Sequence, residues 1–150
     1  MKVNISLISV AVVLLISCTR QSDQQQTAIA SKPVNEPLSC YTFVKNNDTI
    51  RLSFKVEQNS ATGDLTYNFF EKDDNTGTIQ GEMHGDTLYA NYQFQSEGIT
   101  SEREVAFLRR GDTMVEGFGE IAREAGKATF KNRKMLNFES NLVLNKSACK

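Results

Sequence analysis

The amino-acid sequence predicts an all-β fold, an antiparallel meander of eight or nine strands that closes into a small barrel. Apolar and polar residues alternate from Leu38 onward, the pattern of strands with one buried and one solvated face. Short clusters of Gly, Asn and Asp separate these runs, as hairpin turns require. An open meander exposes two sheet edges, so we expect closure, with an open β-sandwich as the alternative.

Residues 1–17 have the features of a secretory signal peptide. Lys2 supplies the positive charge, and Ile5 to Ile16 form an apolar run interrupted only by Ser6 and Ser9. This run is too short to span a membrane, which takes roughly 20 apolar residues. We therefore expect residues 1–17 to be removed on export.

The four residues Leu15-Ile16-Ser17-Cys18 resemble the lipobox of bacterial lipoproteins. The resemblance implies that Cys18 becomes the first residue of the mature chain and carries the lipid, palmitate among the acyl chains, that anchors it. Two or three acyl chains matter, because one chain alone binds a membrane only marginally. The alternative is an ordinary signal peptide with a chance cysteine.

Residues 18–37 are predicted to be a flexible tether. The segment holds several Gln, Ser and Thr residues together with Pro33 and Pro37, and it has too little apolar surface to fold. About 20 such residues have a root-mean-square span of roughly 25 Å. The tether would hold a single domain, residues 38–150, clear of the lipid headgroups.

The predicted strands follow from the period-two apolar positions. These positions are Ile50, Leu52, Phe54 and Val56; Leu65, Tyr67 and Phe69; Leu88, Ala90, Tyr92 and Phe94; Val105 and Phe107; Val115, Gly117, Gly119 and Ile121; Ala128 and Phe130; and Leu136, Phe138, Leu142 and Leu144. Residues Ile121 to Ala125 alone suggest a helical turn. The expected barrel resembles those of lipocalins and other calycins.

Cys40 and Cys149 flank the predicted domain. Export places them in an oxidising compartment, where an even pair normally forms a disulfide. Such a bridge would tie the first strand to the end of the last, as closure requires. The alternative, a reactive or metal-binding thiol, lacks a nearby His or Cys in sequence.

The chain has nine Phe, four Tyr and no Trp, and most of the Phe fall on the inward face. In an eight-stranded barrel these rings either fill the interior or line a small apolar cavity. The sequence leaves both options open. Tyr67 and Tyr92 are the candidate residues for binding a small ligand there.

Residues 96–104 form the longest polar connection predicted inside the domain. Loops at a barrel mouth often carry binding function, and Arg103, Arg109 and Arg110 could meet an anionic group there. The alternative is that Glu102 and Glu104 pair with these arginines on a wet face, where such pairs contribute little.

Three Asp-Thr-aliphatic tripeptides begin predicted strands, with Thr49, Thr87 and Thr113 at their centres. The simplest interpretation is structural, because Asp favours turns and Thr favours strands. The tripeptide also resembles the O-glycosylation acceptor of exported proteins of Bacteroidota, which would make these three threonines candidate modification sites.

Composition and motifs favour a protein that is not an enzyme. Net charge is −1 with no basic stripe, which argues against nucleic acid as a partner. His84 is the sole histidine, and there is no nucleophile elbow or phosphate loop. The acidic loop at residues 71–77 fails the EF-hand pattern and is better explained as a solvated turn. We predict no catalytic residue, metal or cofactor.

Several short motifs occur in an order similar to that in a group of small lipoproteins from Bacteroidota. They are Tyr67, Glu71-Lys72-Asp73, Gly77-Thr78-Ile79-Gln80-Gly81, Gly85-Asp86-Thr87-Leu88, Tyr92, Ser96-Glu97-Gly98 and Arg103-Glu104-Val105. This resemblance implies localisation in the cell envelope and transfers no activity.

We therefore expect a non-enzymatic lipoprotein that binds a small apolar ligand or an envelope partner. The alternative is an inhibitor or interaction protein that presents hairpin loops to another protein. The residues after Cys18 favour the outer membrane, with the domain facing the periplasm, and leave surface exposure open.

Overall fold

The computed structural model of the chain describes residues Asn35–Cys149. The predicted signal peptide, Cys18 and most of the tether lie outside these residues. The elements are β1 (Asn35–Lys45), β2 (Asp48–Glu57), β3 (Ser60–Asn68), β4 (Asn75–His84), β5 (Thr87–Ser96), β6 (Ile99–Arg110), β7 (Thr113–Glu116), β8 (Ile121–Glu124), β9 (Lys127–Phe130), a 3₁₀ helix (Arg133–Met135) and β10 (Val143–Ser147). No helix in the described range is long and apolar enough to cross a membrane.

Eight of these strands form a closed antiparallel barrel. Strands β1 to β7 follow one another as an up-and-down meander, and β10 then pairs with both β7 and β1. The ladder between β5 and β6 runs from Thr87↔Leu108 to Ser96↔Ile99 and completes the ring. The predicted barrel is confirmed, and the open sandwich is excluded, because every barrel strand has a partner on both sides.

Strands β8 and β9, which lie between β7 and β10 in the sequence, form a hairpin outside the ring and beside β6. Strand β9 lies parallel to the first half of β6, with Lys127 opposite Glu102. The suggested helical turn at Ile121 to Ala125 is wrong. These residues form β8 and the start of a tight turn, in which Ala125 and Gly126 both have positive φ, at 48° and 82°. Two such residues suit a hairpin rather than a helix.

The barrel interior is filled by the inward side chains of the ladder. The predicted alternation is confirmed in β2, β3, β5 and β6. The buried core comprises Tyr41, Phe43, Ile50, Leu52, Phe54, Val56, Ala61, Leu65, Tyr67, Ile79, Leu88, Ala90, Tyr92, Val105, Phe107, Met114 and Leu144. Stacked rings, such as Tyr92 on Phe94 with centroids 4.8 Å apart, occupy the space between the strands.

Strand β7 has the opposite register to the one predicted. Met114 belongs to the interior core, whereas Val115 is buried outside that cluster. The predicted inward face of Val115, Gly117, Gly119 and Ile121 therefore lies outside the barrel. There Phe138 packs against Gly117, and Leu136 packs against Gly119. Because side chains alternate along a strand, this shift of one residue turns Glu116 to the interior.

The predicted pair Cys40 and Cys149 is bridged, with Cα atoms 5.3 Å apart. Cys40 lies opposite Ser147 in the ladder between β1 and β10, so the bridge spans the junction that closes the barrel. Strand β1 begins at Asn35, before the predicted domain boundary at Leu38. Its ladder with β2 shifts between Glu36 and Ser39, and this irregularity accommodates Pro37.

Three inward glycines let the strands bend tightly. A Cβ atom on Gly63 would lie 2.6 Å from the Cα of Phe54, and one on Gly81 would lie 2.5 Å from the Cα of Ala90. Gly77 makes a similar approach to Phe94. Backbone atoms cannot yield as a side chain would, so these positions require glycine for the curvature of a small barrel.

Candidate functional site

Tyr67, Tyr92 and Arg103, three of the predicted ligand-binding residues, meet at one end of the barrel. The guanidinium carbon of Arg103 lies 4.9 Å from the ring centroid of Tyr67, 5.7 Å from that of Tyr92 and 5.9 Å from that of Phe94. Each distance is within the range of a cation–π contact. The cation that these aromatic rings surround therefore belongs to the chain itself.

Glu116 completes this arrangement from β7. It is only 4% exposed, and its Oε1 accepts a hydrogen bond of 2.7 Å from the Tyr67 hydroxyl. Nη2 of Arg103 lies 3.9 Å from the same oxygen. We call Tyr67, Tyr92, Arg103 and Glu116 the barrel-end cluster. Its groups contact one another inside the barrel, so they fill this end of the interior with polar side chains that bond to each other.

Burial determines the protonation of the acidic groups in the barrel-end cluster. It raises the pKa of Glu116 by more than the Tyr67 hydrogen bond and the Arg103 charge lower it. The pKa of Tyr67 is also raised, by burial first and then by Glu116. Burial likewise raises the pKa of Tyr92, whose hydroxyl donates to the carbonyl of Asn75 at 2.7 Å. The low-dielectric interior thus favours the uncharged form of each group.

Arg109, the fourth predicted binding residue, lies at the opposite end of the barrel. It is six residues from Arg103 along β6, a separation of about 20 Å in a strand. Its Nη1 and Nη2 donate to the two carboxylate oxygens of Glu36 at 3.2 and 3.0 Å. The structure therefore does not bring Arg103 and Arg109 together on one anionic group.

The predicted polar loop at residues 96–104 is mostly strand. Ser96 pairs with Ile99, so only Glu97 and Gly98 form the turn, both with positive φ. The rest of the segment belongs to β6. This part of β6 has a polar sequence because Glu102 and Glu104 lie on its outer face.

Thr49, Thr87 and Thr113 lie at the starts of β2, β5 and β7 and are half-buried. The contacts of these turns support the structural interpretation. Asp48 accepts a hydrogen bond from the Phe70 amide at 2.9 Å, and the Thr113 hydroxyl donates to the carbonyl of Arg110 at 2.8 Å. Glycosylation of the three threonines stays a prediction.

Metal binding has no support within Asn35–Cys149. In this range no group of three or more His, Cys, Asp or Glu side chains is placed to hold an ion. The acidic residues at 71–74 fall in the connection between β3 and β4, where Asp74 accepts a hydrogen bond from Asn68 at 3.1 Å. This local bond fits the predicted solvated turn.

A second polar site, the outer groove, lies on the outside of the barrel. It has a volume of about 520 Å³ and separates the outer face of β4, β5 and β6 from β9 and the 3₁₀ helix. Its principal polar residues are Gln80, Glu82, His84, Tyr89, Asn91, Glu104, Lys127, Thr129 and Arg133. Its volume is typical of small-molecule sites, and it is open to solvent.

Glu104 holds in place the wall of the outer groove that β9 and the 3₁₀ helix form. Its buried carboxylate accepts hydrogen bonds from Nε of Arg133 at 2.5 Å and from the amide of Phe130 at 2.8 Å. Beside it, Nζ of Lys127 lies 2.6 Å from Glu102, and this hydrogen bond is the main cause of the lowered pKa of Glu102. These contacts hold the segment after β7 against the barrel.

The opposite wall of the outer groove is the outer face of strands β4 and β5, which carries polar side chains. His84 lies 3.2 Å from Glu82, and its ring packs edge-on against Tyr89 at 5.7 Å. The guanidinium of Arg133 lies 5.0 Å from the Tyr89 ring centroid. Oδ1 of Asn91 is buried and has no hydrogen-bond partner among the described residues. An acceptor left in this way is costly unless a water or a ligand donates to it.

The raised pKa of Glu116 predicts a pH dependence of stability. Because the folded state holds this proton more tightly than the unfolded chain, the free energy of unfolding should fall as pH rises above the ordinary value of 4.5 and through the folded pKa. Urea unfolding from pH 4 to 8 would measure it. Glu116→Gln has no proton to lose, so the wild-type curve should fall relative to that of the variant. Parallel curves would contradict the prediction.

Comparison of the chain with protein-family models, with curated proteins and with solved structures found no match. Small β-barrels serve unrelated functions, so the fold by itself assigns none. A function for this chain therefore rests on the chemistry of its own residues.

Proposed function

We propose that this chain is a lipid-anchored protein of the bacterial cell envelope that acts by non-enzymatic binding, and that its partner occupies the outer groove. The observation that carries this proposal is the filled interior. Phe54, Tyr92 and Phe107 are fully buried inside the barrel, where a carrier of apolar ligands would need a cavity. The outer groove offers volume and exposed hydrogen-bonding groups instead.

The anchor belongs to the proposal through the sequence features around Cys18. Labelling with an alkyne analogue of palmitate in a bacterial host tests it. The wild-type chain should carry the label, and Cys18→Ser should lose it. Labelling that persists in Cys18→Ser would overturn the lipid anchor.

Binding outside the barrel is tested with an apolar probe, dansyl-undecanoic acid. We expect no saturable fluorescence increase with the full chain, because inward side chains fill the barrel. Saturable uptake that an unlabelled fatty acid displaces would overturn the outer-groove proposal and restore the apolar carrier. A bovine serum albumin sample, which takes up fatty acids, serves as the positive control.

A second candidate function is an interaction protein that presents its turns to another protein. It is favoured by exposed apolar residues at one rim of the barrel. Val44, Phe70 and Ile99 are 66%, 58% and 66% exposed, and they lie near the β1–β2, β3–β4 and β5–β6 connections. An up-and-down meander places these three connections at the same end. Single serine substitutions there would weaken partner binding under this candidate and leave the groove unchanged.

A further inference from the structure

We infer that the ligand of the outer groove is a neutral, polyhydroxylated molecule, a saccharide of about disaccharide size. This inference rests on the proposed function, which places binding in that groove. It deepens the proposal by naming the chemical class that the groove residues recognise. Three properties of the groove point to it: balanced charge, neutral hydrogen-bonding groups, and walls with little free strand edge.

The charges of the groove cancel. Glu82 and Glu104 are matched in number by Lys127 and Arg133. Each of these groups is also engaged, Glu82 with His84, Glu104 with Arg133 and Lys127 with Glu102. A charged ligand would meet one like charge for every opposite charge and would have to break an existing pair. A neutral ligand leaves all these pairs intact and accepts hydrogen bonds from the exposed N–H groups of the paired side chains.

Neutral groups in the groove are left for the ligand. Oδ1 of Asn91 is a buried acceptor without a partner among the described residues, so it requires a hydrogen-bond donor. Gln80 and Thr129 add an amide and a hydroxyl on opposite walls. Groups that both donate and accept suit the hydroxyls of a sugar, which also do both.

The walls of the groove have little backbone edge to offer a peptide. Strands β4 and β5 are paired on both sides along its length, and Lys127 of β9 is paired with both β6 and β8. Beyond Ala128 the ladder with β6 ends, and there the amide of Phe130 donates to Glu104. An extended peptide binds most readily by adding a strand to a free edge. Recognition in this groove therefore depends on side chains, which favours a small polar ligand.

The test uses three disaccharides of similar size that differ in charge: neutral di-N-acetylchitobiose, its cationic deacetylated form chitobiose, and anionic cellobiuronic acid. The full chain is kept in a detergent without a sugar headgroup. Amide chemical shifts report where each disaccharide binds, and titration gives its Kd. We expect di-N-acetylchitobiose to shift the groove residues, with a Kd about tenfold lower than those of the charged probes.

The matched variants are Asn91→Ala and Gln93→Ala. Both truncate an amide side chain on the outer face of β5, but only Asn91 lines the groove. Asn91→Ala should raise the Kd about tenfold and Gln93→Ala should leave it unchanged. Equal effects of the two variants, tighter binding of a charged probe, or no groove shifts with any disaccharide at millimolar concentration would overturn the inference. The proposed function fails by a different result, saturable uptake of the fatty-acid probe.

Discussion

Replacement of Cys40 and Cys149 by serine should lower the free energy of unfolding by about 5 kcal/mol. The bridge links residues separated by 109 positions, so it closes a loop that contains almost the whole domain. Loss of this constraint mainly increases the entropy of the unfolded chain, and that gain grows with loop length. The bridge also spans the β1–β10 junction, which joins the two ends of the meander.

Thermal and urea unfolding would measure this effect, and the melting temperature should fall by roughly 15 °C. A reducing agent should lower the stability of the wild-type protein by the same amount and leave the double variant unchanged. Cys18→Ser is the matched control, because it removes a cysteine outside the bridge. Equal stability of the wild-type and double-variant proteins would contradict the prediction.

The alternation of apolar residues was enough to predict the barrel, because tight hairpins join most of its consecutive strands. It failed where the chain leaves the ring. Val115 is buried outside the interior core, and Phe138 packs where Gly117 has no side chain. A run of apolar residues indicates a buried face, but it does not indicate which side of the barrel wall buries it. The register of β7 and the position of the β8–β9 hairpin outside the ring were therefore missed.

The candidate sites were predictable to different degrees. Tyr67 and Tyr92 came from positions whose inward direction follows from strand period, whereas Arg103 came from the predicted polar connection at residues 96–104. Glu116 was missed because a carboxylate is rarely buried, and the predicted register turned it outward. One signal was present, since Met114 and Glu116 share a face two residues apart.

The outer groove could not be predicted from any local pattern. Glu104 and its partner Arg133 are separated by 29 residues, and Lys127 reaches Glu102 only through the parallel contact of β9 with β6. That contact depends on how the segment after β7 folds back over the barrel wall. Each residue read alone is a polar group on a solvated face, which is the commonest outcome for such residues.

Glu116→Ala should lower the free energy of unfolding by about 3 kcal/mol. The substitution removes the acceptor of the Tyr67 hydroxyl, which lies inside the barrel where no water can easily replace it. An unsatisfied buried hydroxyl costs about 1–3 kcal/mol. The substitution also leaves a void and separates Arg103 from its carboxylate, although that ion pair is long and partly exposed and adds less.

A double-mutant cycle with Tyr67→Phe identifies the source of this loss. If the unpaired hydroxyl dominates, Tyr67→Phe should be far less costly in the Glu116→Ala background than in the wild-type protein, with a coupling energy of about 1–3 kcal/mol. Glu116→Gln retains an oxygen acceptor for Tyr67 and serves as the matched control, so its cost should be much smaller than that of Glu116→Ala. Urea unfolding of the four proteins of the cycle gives the coupling directly. Additive losses in the free energy of unfolding would show that Tyr67 and Glu116 stabilise the barrel independently. The barrel-end cluster would then not act as one hydrogen-bonded unit.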